Sequence, residues 1–267
     1  MFDLSENLRI AIEASIDAGI AILDVYNRPD FNKELKEDKS PLTEADLTAN
    51  SIINSFLEKT IYPIISEENK NEDFTIRKNW EYCWIVDPLD GTKEFIKKNG
   101  EFTVNIALVI NGIPEIGVIY VPVTRELYYA SVTNKKAYKT QLDPLHNING
   151  NLFNASDRIN PNQKVKNKLR IVGSRSHMNQ DTLDFIEKKK EDFETIEIVS
   201  KGSSLKFCLV AEGKADIYPR FAPTMEWDTA AGQAICMAAG FNVISKETGE
   251  NLSYNKKNLL NPYFEVR

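Results

Sequence analysis

Four short apolar runs crowd between residues 83 and 132: "CWIV" at 83–86, "TVNIALVI" at 103–110, "IGVIYVP" at 116–122 and "ELYYASV" at 126–132. Runs of this length, rich in β-branched and aromatic residues, predict strands. The Asn-Gly dipeptide at 111–112 lies between the second and third runs and predicts a hairpin; a second one stands at 99–100. The first run stops abruptly at "DPLDGT", two acids three residues apart followed by a glycine and a threonine. An unpaired carboxylate is expensive to bury, so something positive is expected at the end of that strand.

Around this block the pattern changes. "LSENLRIAIEASIDAGIAILDVYN" (4–27) has apolar residues at helical spacing, with Ser5 as N-cap. "LTEADLTANSIINSFLEKT" (42–60) reads as a second helix, capped by Thr43 with Asp46 three residues on. Its Leu47, Ile52, Ile53, Phe56 and Leu57 suit one face. Beyond the Asn-rich polar stretch 139–168, strand-like and helical segments alternate to the last strand, "FNVIS". Alternation of that kind predicts α/β layers. The polar stretch marks the expected boundary between an N-terminal unit, 1–150, and a C-terminal one, 151–267. No internal repeat or low-complexity tract occurs.

Composition narrows the function. With 42% apolar and 27% charged residues in 267, the chain is an ordinary globular one, large enough for a sizeable core. A net charge of −6 argues against a nucleic-acid or anionic-membrane partner, but leaves an anionic substrate open, because bound cations reverse a local field. Cys83, Cys208 and Cys236 sit in apolar context without a CxxC and are expected as reduced core residues, which fits a cytoplasmic protein. The first residues do not form a signal peptide, and no stretch approaches a membrane span. His146 and His177 are the only histidines, so a three-histidine zinc site and an HExxH helix are excluded. Neither a P-loop nor a GxGxxG fingerprint is present.

What remains is carboxylate chemistry. The strand should deliver Asp87 to its carboxyl end, where ligand sites of α/β sheets lie. Pro88 biases Asp87 to an extended conformation, and the turn returns Asp90 beside it. Gly91 permits close backbone approach, and Thr92 opens a segment whose free amides can face an anion. An EF-hand does not fit, because its twelfth position here is Lys98, and an aspartyl-phosphate DxDGT site needs acids two apart. The plain alternative is a strand-ending Asx turn with solvated acids. Two further apolar elements meet acids, "IISEE" at Glu67 and Glu68 and "EWDTAAG" at Asp228, where an N-cap is the competing reading. Three such segments make a hard-cation site the more economical explanation.

"PIISEE", "WIVDPLDGTKEF" and "WDTAAGQAI", in that order, resemble the inositol monophosphatase superfamily of magnesium-dependent, lithium-sensitive phosphatases. "DGTKEF", "GSRSH", "GSSLKFC" and "YPRF" resemble its CysQ-type branch, the 3′(2′),5′-bisphosphate nucleotidases. The resemblance covers nearly the whole chain and implies an αβαβα sandwich of two packed sub-domains. It also implies two or three Mg²⁺ held by Glu67, Asp87, the Leu89 carbonyl, Asp90 and Asp228, with Asp87 bridging. Gly91 and Thr92 would bind the reacting phosphate. Thr92 and Asp46 would orient the attacking water, aided by Glu67; for Asp46 this competes with the helix-cap role. Ser203, Lys206 and Arg220 would hold the distal phosphate or ribose, and Ser174 and His177 would line the nucleotide pocket, with a surface role open for His177. The implied reaction is hydrolysis of 3′-phosphoadenosine 5′-phosphate to AMP and phosphate, in sulfur assimilation, with action on 3′-phosphoadenylyl sulfate open. The alternatives are an inositol-1-phosphate or sugar phosphatase, and a non-catalytic metal- and nucleotide-binding protein. Relatives of this kind occur as monomers and homodimers, and peripheral association with the cytoplasmic face of the inner membrane is compatible with the resemblance.

Overall fold

The computed structural model describes residues 3–29, 41–161, 165–174 and 179–267, the side chains of residues 41, 42 and 174 excepted. Helix α1 (Leu4–Tyr26) starts two residues earlier than a cap at Ser5 implies. Asp3 is the N-cap, its carboxylate accepting from the amides of Ser5 and Glu6. Helix α2 (Pro41–Leu57) likewise begins before Thr43, with proline in its first turn, where the missing N–H costs nothing. Thr43 and Asp46 therefore lie inside the helix, and the capping-box reading of the pair does not hold.

A six-stranded sheet follows in simple sequence order: β1 (Ile64–Ser66), β2 (Tyr82–Asp90), β3 (Thr103–Ile110), β4 (Ile113–Val121), β5 (Glu126–Ser131) and β6 (Lys136–Gln141). Short helices α3 (Phe74–Arg77) and α4 (Thr92–Ile96) precede and follow β2. Only the β1–β2 pair is parallel; the other neighbours are antiparallel, and the expected β3–β4 hairpin turns at Asn111-Gly112. The sheet is covered on both faces, which explains the uninterrupted apolar strands. From β2, Trp84 and Val86 pack with Ile12, Ile22, Ile53 and Leu57 of α1 and α2. The alternate residues Cys83 and Ile85 face the opposite core, with Phe207, Ile235 and Cys236. All three cysteines are buried and unpaired.

That second core belongs to α6 (Leu205–Ala211) and α7 (Ala230–Ala238). Helix α7 lies so close to β4 that a Cβ on Gly117 would stand 2.4 Å from the Ala231 carbonyl oxygen. Beyond these helices come the parallel pair β7 (Lys168–Ser174) and β8 (Thr195–Lys201), and the antiparallel sheet β10 (Val243–Ser245), β11 (Phe264–Val266), β9 (Tyr218–Arg220). An Ile171–Ile217 bridge joins the two small sheets. Helix α5 (Gln180–Lys189) closes the stack, with Ile186 against Leu169, Ile171 and Ile217. Helices, sheet, helices, sheets and helix make an α/β sandwich of five layers.

Candidate active site

The "DPLDGT" acids lie within the strand and not in a turn beyond it. Strand β2 runs on to Asp90, and its pairing with β3 slips between Asp87–Asn105 and Asp90–Thr103. This irregularity re-aims side chains that a regular strand would send to alternate faces. Gly91 then takes φ 104°, a conformation costly for any side chain, and caps α4 at Thr92. The parallel register sets Ser66 beside Val86, and the Glu67 amide donates to the Val86 carbonyl at 3.3 Å. The end of β1 thus reaches the level of Asp87.

The acids share an electrostatic neighbourhood. Asp87 is 1% exposed, and burial, then Asp90, Glu67, Asp228 and Asp46, hold its carboxyl well above the usual carboxylate range. Asp228 is pushed up to about 7 by burial and Asp90, against the Met225 amide that donates to its Oδ2 at 2.8 Å. Burial raises Glu67 as well, with Glu68 and Asp90 adding to it. Asp46 projects from α2 toward the same place and is pushed up to about 8 by burial, Glu68 and Glu67. Asp228 is not the N-cap of α7: Thr229 holds that position, and Asp228 folds back on Met225.

A cavity of about 250 Å³ opens from Asp90, Gly91 and Thr92. Asp228 lines the same cavity, as do Ser203, Lys206 and Arg220. Lys206 is 7% exposed; its ammonium donates to the Ser203 carbonyl, stands over the Tyr218 ring at 5.6 Å, and is pushed down by burial to about 8. Arg220 donates through Nη2 to the Pro223 carbonyl, while its Nε is buried with no partner among the described residues. Ser174 ends β7, and His177 lies outside the described residues.

The motifs left several supporting residues unmarked. Glu101 accepts from the Gly202 amide at 2.9 Å and from Lys201 Nζ at 3.1 Å, fixing the approach to the cationic wall. Gly202 is required there, since a Cβ would stand 2.6 Å from Glu94. Asn105 and Ser204 contact Asp90 directly. Glu226 anchors the Trp227-Asp228 segment, accepting from the Asn255 and Lys256 amides and from Lys256 Nζ. The serine doublet stands in "GSSLKFC", but the Gly202 partner of Glu101, the Ser204 partner of Asn105 and the Asn255 partner of Glu226 lie 101, 99 and 29 residues away along the chain, and no local motif marks them.

Residues 3–263 match the model of the inositol monophosphatase family. The chain belongs to that family. Among individual family members, the CysQ 3′(2′),5′-bisphosphate nucleotidase of Buchnera aphidicola is 46% identical over 89% of this chain and 83% of its own. The same-named protein of Salmonella typhimurium is 43% identical over 94% and 95%. The crystal structure of CysQ from Bacteroides thetaiotaomicron superposes with a TM-score of 0.89, at 46% identity and with 99% and 97% of the two chains covered.

The inositol monophosphatase family is generally magnesium-dependent, and the donor set suits a hard cation. Carboxylates and one carbonyl are all-oxygen ligands, and Asp87 has no cationic partner among the described residues to offset its burial. The acids are not gathered into a ready-made shell: no group of three or more Asp, Glu, His or Cys among the described residues could hold an ion as placed. Asp87 and Asp228 are instead engaged by local donors, the Leu89 amide at 3.1 Å and the Met225 amide at 2.8 Å.

Proposed function

We propose that this chain is a magnesium-dependent 3′(2′),5′-bisphosphate nucleotidase that converts 3′-phosphoadenosine 5′-phosphate and water to AMP and phosphate, a step that serves sulfur assimilation. The observation that carries the reading is the pairing, across one cavity, of the acids Asp90 and Asp228 with the cations Lys206 and Arg220. The acids suit the reacting end; a second phosphate needs cations of its own. Arg220 Nε, buried without an acceptor among the described residues, is a donor that a substrate oxygen would satisfy. Lys206, pushed down to about 8 by burial, would hold its charge more firmly beside a phosphate. The close relatives that bear the same activity support the choice over an inositol phosphatase.

Glu67, Asp87, Asp90, Asp228 and the Leu89 carbonyl are the groups that would hold two or three Mg²⁺. When bound, magnesium neutralises the phosphate and makes water acidic enough to attack near neutral pH. Gly91 and Thr92 bind the reacting phosphate. Asp46, pushed up to about 8 by burial, Glu68 and Glu67, orients the attacking water with Thr92, with Glu67 assisting. Ser203, Lys206 and Arg220 fix the distal phosphate or ribose, and Ser174 and His177 line the nucleotide side. The units 1–150 and 151–267 each supply part of this site. The enzyme works in the cytoplasm; among the described residues no helix is long and apolar enough to cross a membrane.

The test compares phosphate release from 3′-phosphoadenosine 5′-phosphate, 3′-phosphoadenylyl sulfate and inositol 1-phosphate under saturating Mg²⁺, with and without lithium. We expect the adenosine bisphosphate to be the best substrate and lithium to inhibit. Faster hydrolysis of the inositol ester sinks the nucleotidase assignment, and nucleotide binding without phosphate release sinks the enzymatic one.

A further inference from the structure

Ser204 stands at the N-cap of α6, where a serine hydroxyl ordinarily accepts from a helix amide, and here it makes no such bond. The residue before it, Ser203, has φ 42°, left-handed backbone that is costly outside glycine. The bend carries the chain into the helix with the Ser204 hydroxyl against the acids. Its Oγ lies 2.8 Å from Asp90 Oδ2 and 3.0 Å from the Asp228 carbonyl oxygen. A hydroxyl has one proton, and the nearer, charged acceptor is Asp90. Asn105 Nδ2 donates to Ser204 Oγ at 2.9 Å and approaches the same Asp90 Oδ2 at 3.4 Å. Asn105 is itself oriented by Thr103 Oγ1, which donates to its Oδ1 at 2.9 Å.

Ser204, Asn105 and Thr103 are 2%, 1% and 0% exposed, so water does not substitute for any of these bonds. Both side-chain donors converge on one oxygen of Asp90, and among the described residues neither engages Oδ1. We propose that Ser204, backed by Asn105, is a positioning residue. It ties up Asp90 Oδ2, leaves Oδ1 for the cation, and couples the cationic substrate wall at Ser203 and Lys206 to the acids. The helix gives up its cap for this, a local rule broken at a site that uses the hydroxyl elsewhere. The inference rests on the magnesium role given to Asp90 above and not on the identity of the nucleotide.

Mn²⁺ alone is the probe, titrated against the full chain without nucleotide and followed by the electron paramagnetic resonance of the free ion. Ser204→Ala should weaken Mn²⁺ binding about tenfold, the usual scale for an outer partner of a ligand. Ser204→Thr, which keeps the hydroxyl, should recover most of the loss. A merely structural serine would lower the melting temperature and leave the Mn²⁺ affinity within twofold of the parent, and that result overturns the proposal. If the alanine variant does not fold, near-isosteric Ser204→Cys, a much weaker donor, takes its place with the same expectation and the same overturning result. A parent that binds no Mn²⁺ overturns the metal reading, and the positioning role with it. The outcome is independent of which phosphate ester is cleaved, so failure here and failure of the nucleotidase assignment are separable.

Discussion

Two buried acids, Asp87 and Glu226, make opposite uses of burial. Glu226 is 0% exposed, and burial raises its carboxyl, yet three donors close on it: the Asn255 amide at 2.6 Å, the Lys256 amide at 3.0 Å and Lys256 Nζ at 2.6 Å. Asp87 is 1% exposed and receives the Leu89 amide, while every neighbouring charge named against it is another acid. Both are costly to bury, and only one is compensated by the fold. Burial by itself therefore does not mark a functional acid. The mark is an account of partners that stays open, and at Asp87 a cation would close it.

The largest effect expected from this contrast is on activity. Asp87→Asn should lower phosphate release by about a thousandfold or more, because a ligand to the cation is lost. The same change should leave the metal-free protein about as stable, since an amide replaces a buried carboxyl that neighbouring acids disfavour and no cation offsets among the described residues. Loss of folding in that variant would break the contrast with Glu226.

Glu226→Gln should do the reverse in kind. It removes the charge that three donors were built around and costs about 2–4 kcal/mol of stability, seen as a fall of roughly 5–10 °C in Tm. The activity of the folded fraction should survive. If Tm were unchanged, the closed account at Glu226 would be worth nothing to the fold.

A smaller effect, of a few degrees, should appear in the pH dependence. In the unfolded chain Asp46 and Asp228 are ionised above about pH 5, whereas in the metal-free fold they keep their protons until about 8 and about 7. The folded state then binds more protons at these two acids between those limits, so their contribution to stability is greatest at low pH and is lost as pH rises through 7–8. Lys206, lowered to about 8, acts in the opposite direction and mainly above pH 8, where the unfolded lysine still holds its proton. Chelated protein should thus melt at lower temperature at pH 8 than at pH 6. Saturating Mg²⁺ should cancel or invert that difference, since the ligands bind it deprotonated. Parallel pH profiles with and without Mg²⁺ would show that these acids do not bind the ion.

The sequence made one side of the comparison readable and hid the other. "DPLDGT" declares its acids because they end an apolar strand, and Glu67 and Asp228 do the same from two other segments. Nothing local marks Glu226, whose partners lie in the unremarkable "YNKK". Strand β11 escaped notice for a similar reason: it is three residues long and exists only because β9 and β10 pair with it on either side. The helices start two and three residues ahead of what caps at Ser5 and Thr43 imply, because Asp3 outcompetes Ser5 as a cap and Pro41 starts α2 ahead of Thr43. The slip of β2 on β3 that aims Asp90 is a property of pairing, and no single strand carries it.

The absence of a side chain at Gly117 has a consequence for which ion the site prefers. With the Ala231 carbonyl pressed against β4, the start of α7 cannot sink toward the sheet or rise from it without opening a gap. Asp228 lies just before that helix, so its distance from the end of β2 is set by the seam. Were a cation held as proposed above, a spacing fixed in this way would suit a small ion of near-octahedral demand better than a larger, tolerant one such as Ca²⁺. An alanine at 117 would act as a shim, and its signature would be a changed preference among divalent ions of different radius.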